Sequence, residues 1–299
     1  MKKAAIALAL MALAAWAAVS APAQDAVAQG QALEGLKLPS SILGRAVDFA
    51  VYLPPDYAQS TRRYPVVYLL HGLGDDAAGW IQFGEINLAA DRAIAEREMP
   101  PMIIVMPDAK ATWYINDYQN KVRYEDMLTQ ELIPHIDKAY RTRPDRQYRG
   151  ISGLSMGGWG SLTIGMRHPE LFSGVAAFSA AVWTEETAGA MEDKMYERMF
   201  AGLFGPKPAP KGQVTEHFKK LNPVNLARSI PEAELKKVRY YIDCGDDDFL
   251  IEGNCALHIA LTERKIPHEF RVRDGSHSWV YWRTGIVAGL AFLGRSFTQ

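Results

Sequence analysis

The sequence predicts an α/β fold, a mostly parallel sheet flanked by helices, and three observations point to it. Short apolar runs alternate with amphipathic stretches along the chain, the order in which strands and their covering helices follow one another in a parallel sheet. Several runs are apolar at every position, as in strands buried on both faces. Hydrophobic residues make up 48% of the 299 positions, enough for a sizeable core, and α/β units of about 250 residues commonly form a single domain.

The chain begins with Lys2 and Lys3, an apolar run over 4–19, and then Ala21, Pro22 and Ala23. A positive start, a short greasy middle and small residues at alternate positions form an export signal, expected to occupy 1–23 and to be cut after Ala23. A membrane anchor is disfavoured, because the uncharged stretch is short for a spanning helix and runs out in Ser20, Pro22 and Gln24. Residues 24–39 read as a flexible, polar entry to a domain over 40–299.

Strands are expected at 46–53, 64–70, 102–106, 148–151, 174–178, 238–242 and 268–272. Helices are expected at 89–97, 125–139, 157–167, 254–264 and 279–293 from their apolar spacing. One stretch, 183–227, breaks the alternation with a Met-rich amphipathic helix carrying Met191, Met195 and Met199, a spacing that usually marks core rather than ligand contact, and with the breaker run 205–210. It follows a strand end, where α/β proteins bind ligands, so it suits a small insertion capping a site.

Thirty-three basic and 34 acidic residues are interspersed, for a formal charge of −1. This offers no field for holding nucleic acid or an anionic membrane, and it points to a small or extended neutral substrate. The two cysteines, Cys244 and Cys255, either pair, as export would permit, or remain free, Cys244 as a buried apolar residue.

Gly153-Leu154-Ser155-Met156-Gly157-Gly158 lies between a predicted strand and a predicted helix. A serine nucleophile needs its hydroxyl projected from a tight strand-to-helix turn, with small flanking residues to relieve the crowding. The helix that follows aims its positive end and free amides at Ser155. His71-Gly72-Leu73-Gly74 follows another apolar strand, and acyl transfer needs two donors for the developing oxyanion. The amides of Leu73 and Met156 are the candidates, each worth about 3 kcal/mol in the transition state, with His71 itself structural.

Of the seven histidines, His277 follows the alternating strand 268–272 and is the candidate general base. His135, His168, His217, His258 and His268 fall in helices, helix ends, the insertion or a strand start. The carboxylate that orients the base is sought beyond the preceding strand, where Asp243, Asp246, Asp247 and Asp248 stand. Asp248 is preferred because it lies past Gly245, with Asp246 and Asp247 as alternatives and a solvated turn or weak calcium site as the unreactive reading. Trp113, Tyr114, Trp159 and Trp282 are candidates for an aromatic wall around a phenolic acyl group, or else core.

These motifs resemble the α/β-hydrolase family that holds feruloyl and acetylxylan esterases, esterase D with S-formylglutathione hydrolase, enterochelin esterases and mycobacterial mycolyltransferases. The resemblance spans about 45–293 and is carried by Tyr68 to Gly72, Tyr124-Glu125-Asp126, Glu131 to Pro134, Gly153 to Gly158, Cys244 to Asp248 and Gly275 to Trp279. It implies an α/β-hydrolase fold, with Ser155 as nucleophile, Asp248 as acid, His277 as base and Leu73 as first oxyanion donor. It also implies ester hydrolysis through an acyl-enzyme without metal or organic cofactor. The export signal favours the extracellular carbohydrate esterases, acting on feruloyl or acetyl esters. Transfer of the acyl group to a sugar or lipid hydroxyl, and a non-catalytic binding protein on the same scaffold, are the other expectations.

Overall fold

The computed structural model describes residues 27–209 and 212–297. The export signal expected at 1–23, and Pro210 of the breaker run, lie outside the described residues. No helix among the described residues is long and apolar enough to cross a membrane.

Eight strands form one sheet in the order β1-β2-β4-β3-β5-β6-β7-β8. They are β1 Gln31–Ser40, β2 Arg45–Leu53, β3 Val66–Leu70, β4 Ile103–Pro107, β5 Arg149–Leu154, β6 Gly174–Phe178, β7 Arg239–Gly245 and β8 His268–Arg273. β1, β2 and β4 pair antiparallel, and β4 through β8 pair parallel. All seven expected strands are present. The entry expected to be flexible is corrected over its second half, where 31–40 form β1 along the edge of β2. Polar and small residues hid it, since an edge strand needs only one partner and little burial. Its end is fastened by Glu131, whose carboxylate accepts from the Ser41 and Ile42 amides and both serine hydroxyls of the turn.

The fully apolar strands serve two layers. Val66, Tyr68 and Leu70 face one core while Val67 and Leu69 face the other, as do Ile103 and Val105 against Ile104 and Met106. This is the period-2 alternation of a strand buried on both faces. One layer is covered by Ile86–Ala95 and the long last helix Trp279–Ser296. The other is covered by residues 124–139, by Met156–Arg167, by the insertion and by Ile251–Glu263.

The insertion is a chain of short helices around an aromatic cluster in which Phe200 meets Trp113, Phe204 and Phe218. The methionines do not form one stripe. The helix Glu185–Ala190 ends at Met191, and a second begins at Asp193. As a result Met191 is buried, Met195 is 37% exposed and Met199 is half-buried.

His168 ends the helix Met156–Arg167. Its Nε2 meets Glu125 Oε1 at 2.8 Å and its Nδ1 meets Glu170 Oε1 at 3.0 Å. Burial alone would lower its pKa, but the two carboxylates outweigh it and hold the imidazole above its ordinary 6.5. A raised folded-state value stabilises the fold fully below the unfolded value, and that contribution is lost as pH rises through the folded value. Unfolding midpoints should therefore fall more steeply as pH rises above the ordinary imidazole value of 6.5 for the wild type than for His168→Gln. Parallel curves for the two proteins would contradict this assignment.

Candidate active site

The elbow between β5 and the helix Met156–Arg167 places Ser155 at φ 52° and ψ −117°. Such backbone costs a non-glycine residue about 1–3 kcal/mol and persists only where its surroundings enforce it. Here the Ser155 amide donates to the Phe178 carbonyl, and the Ala181 amide donates to the Ser155 carbonyl, each at 2.9 Å. The elbow closes because its glycines let backbones touch. A Cβ on Gly157 would lie 2.4 Å from the Leu70 carbonyl oxygen, and one on Gly153 would lie 2.5 Å from Gly157. Gly157→Ala should destabilise the protein by about 3 kcal/mol, as forced overpacking in a core does. Gly202→Ala, where a Cβ meets nothing within 4 Å, should be nearly neutral. Urea unfolding of the two variants checks this, and equal midpoints would refute the close-approach argument.

Ser155 Oγ lies 3.0 Å from His277 Nε2, and His277 Nδ1 lies 2.9 Å from Asp248 Oδ2. The three side chains come from three strand ends: after β5, after β7 and after β8. Asp248 is 2% exposed. Burial would raise its pKa, but His277, the Ser179 hydroxyl and the Leu250 amide outweigh burial and hold the carboxyl below its usual range. A carboxylate so placed fixes the ring with Nδ1 as donor and leaves Nε2 to accept the serine proton.

The neighbouring acids are engaged elsewhere. Asp243, fully buried within β7, binds Arg273 at 2.9 Å and accepts from the Tyr281 and Tyr241 hydroxyls. Asp246 Oδ1 accepts from the Gly275 amide at 3.0 Å, and the Asp247 amide donates to the Gly275 carbonyl at 3.1 Å. The alternatives to Asp248 thus tie its turn to the loop that carries His277.

Leu73 and Met156 line the same cleft as Ser155. The Asp75 amide donates to the Gly72 carbonyl at 3.2 Å across a turn whose third residue, Gly74, has φ 93°. That is a type II turn, which requires glycine at this place and turns Leu73 outward at 47% exposure. Behind it His71 is buried, accepting at Nε2 from the Ala109 amide (2.9 Å) and donating from Nδ1 to the Gly72 carbonyl (2.7 Å). His71 therefore holds the loop, as expected of a structural residue.

Of the four aromatics expected to form a wall, only Trp113 lines the cleft. Tyr114 is buried and donates to the His71 carbonyl. Trp159 is buried beneath Trp113 and the insertion, and Trp282 is packed edge-on against the His277 ring while donating to Ser179 Oγ. These three are corrected from wall to support, since large rings near strand ends are needed to fill the core. The other walls come from Ala181, Trp183, Met199, Phe249 and Leu250.

Sequence reasoning missed Phe249 and Trp183, placed Met199 only in the insertion suited to cap a site, and missed Ser179, which bridges Trp282 and Asp248. Ser179 at the end of β6, and an exposed aromatic directly after Asp248, were the available signals. The thiols of Cys244 and Cys255 are both free; burial pushes that of Cys244 up. Of the remaining histidines, His258 Nδ1 bonds His268 Nε2 at 2.7 Å, His217 Nε2 donates to the Asn116 carbonyl at 3.0 Å, and His135 packs edge-on against Phe49.

A mostly parallel eight-stranded sheet with Ser155, Asp248 and His277 delivered in that order from the ends of β5, β7 and β8 places the chain in the α/β-hydrolase class. Within that class it belongs to the esterase family described as "Putative esterase", which it matches over residues 40–293. It is 33% identical over 184 residues to an endo-1,4-beta-xylanase/feruloyl esterase of Xylanibacter ruminicola, covering 58% of this chain and 24% of that protein. The chain thus spans about a quarter of that relative's length. An acetyl esterase of Caldicellulosiruptor saccharolyticus is 23% identical, with 77% of this chain and 83% of that protein covered. Among solved structures, a ferulic acid esterase superposes with a TM-score of 0.77 at 33% identity, covering 90% of this chain and 99% of that one.

Proposed function

We propose that the protein is an exported serine hydrolase that cleaves carboxylic esters through an acyl-enzyme on Ser155, with feruloyl or acetyl esters of carbohydrates as substrates. The observation that carries the reading is the unbroken relay from Ser155 Oγ through His277 to Asp248, 3.0 and 2.9 Å per step. It opens into a cleft that Leu73 and Met156 also line.

In the first half-reaction His277 Nε2 takes the Ser155 proton as Oγ bonds to the acyl carbon. The oxyanion rests on the amides of Leu73 and Met156, and the imidazolium is stabilised by Asp248. Collapse of the tetrahedral intermediate breaks the ester C–O bond as His277 returns the proton to the leaving alcohol. Water then attacks the acyl-enzyme by the same route, and the free acid leaves with Ser155 restored. No step calls for a metal or cofactor.

The ferulic acid esterase and acetyl esterase relatives support the acyl groups named, and the leader-like start supports export. Hydrolysis of methyl ferulate and of acetylated xylo-oligosaccharides, compared with p-nitrophenyl acetate and butyrate, tests the substrate. Preference for butyrate over both natural-type esters would overturn the carbohydrate reading. A secreted or periplasmic product beginning at Gln24 would support export, and one retaining Met1 would contradict it.

A further inference from the structure

The cleft has two compartments. The inner one, about 200 Å³, holds Ser155 and His277. The outer one, about 350 Å³, is bounded by Thr112, Asp117, Val122, Arg198 and Leu203. Leu73, Trp113 and Met199 line both and so form the neck between them.

Two sides of the neck are fixed. Trp113 is buried and edge-on to Trp159 and Phe200, and Leu73 sits in the glycine turn held by His71. Met199 differs: it is half-buried and unbranched, with rotatable bonds that let it fill or vacate a gap. It rides on a π-helical turn, Glu197–Ala201, a distortion frequent at functional sites. The turn brings consecutive residues, Arg198 and Met199, to the cleft.

The direction of the substrate follows from the proton path. The leaving oxygen must lie within reach of His277 Nε2, and His277 lines the inner compartment but not the outer. With the carbonyl oxygen at Leu73 and Met156, the acyl substituent points away from His277, toward the neck.

We propose that Met199 is a specificity-determining residue that gates acyl length. A two-carbon acyl group is completed within the inner compartment, whereas an arylpropenoyl group has to pass Met199 and occupy the outer one. The gate rests on the reading of Ser155 as nucleophile.

The test compares kcat/KM for p-nitrophenyl ferulate and p-nitrophenyl acetate, which share a leaving group, in the wild type, Met199→Trp, Met199→Ala and Leu203→Trp. Closing the neck or filling the outer compartment with tryptophan should lower the ferulate-to-acetate ratio about tenfold or more. Met199→Ala should raise the ratio about threefold. Leu203→Trp keeps the question open to refutation if Met199→Trp does not fold. Equal losses on both esters, or an unmoved ratio in folded variants, overturn the gate. So does a response to alcohol size at fixed acetyl, because that places the alcohol in the outer compartment. A wild type that cleaves neither ester and takes up no fluorophosphonate defeats the nucleophile reading itself, whereas an active wild type with unmoved ratios defeats the gate alone.

Discussion

Ser155→Ala should lower kcat for p-nitrophenyl acetate by about 10⁴-fold or more while leaving the unfolding midpoint nearly unchanged. The substitution removes one oxygen, whose partner is His277 Nε2 at 3.0 Å. It leaves intact the backbone bonds that hold the elbow, from the Ser155 amide to Phe178 and from the Ala181 amide to the Ser155 carbonyl. The cleft and its two amides also remain, so the affinity for substrate should change little and the loss should appear in kcat. A variant that retains more than about a hundredth of the wild-type rate would show that a different group attacks the ester.

Asp248→Asn should lower kcat about 10³–10⁴-fold, and Asp246→Asn should stay within about threefold of wild type. An amide at Asp248 cannot stabilise the imidazolium, and its NH₂ group can turn to Nδ1 and force the wrong tautomer. The substitution also removes a carboxylate held below its usual range by His277, Ser179 and the Leu250 amide. At Asp246 the bond that matters is acceptance from the Gly275 amide, and an asparagine oxygen makes it equally well. Equal losses in the two variants would mean that the turn as a whole, rather than one carboxylate, supports His277. Because burial is outweighed and Asp248 is held below the usual carboxylate range, its contribution to stability is present above the unfolded value and fades as pH falls through the folded one.

The sheet was legible because burial on both faces leaves little choice of residue: Val66 to Leu70 and Gly174 to Phe178 are apolar at each position. β1 was not, because an edge strand pairs through its backbone and tolerates Gln31, Glu34 and Lys37. Ser155, His277 and Asp248 could be placed from sequence because each must sit just past a strand end, and Gly153 and Gly157 are demanded by contacts at 2.5 and 2.4 Å. The cleft walls follow no such local rule. Trp113 and Trp159 are both buried aromatics, and only the packing of the insertion decides which one faces the cavity. The Met-rich run misled for a related reason: its helical spacing is interrupted after Ala190 and distorted at Glu197–Ala201, so a uniform 3.6-residue period assigned the wrong methionines to one face. Phe249, 68% exposed and 4.7 Å from the His277 ring, is an exposed aromatic whose setting is visible only once the loop after β8 is brought beside it.

The most direct test of the account is the site of covalent capture. Wild-type protein treated with a fluorophosphonate and mapped by peptide mass spectrometry should carry one adduct, on Ser155, and His277→Ala should acquire it far more slowly. Ester cleavage by a wild type whose Ser155 peptide stays unmodified would contradict the account.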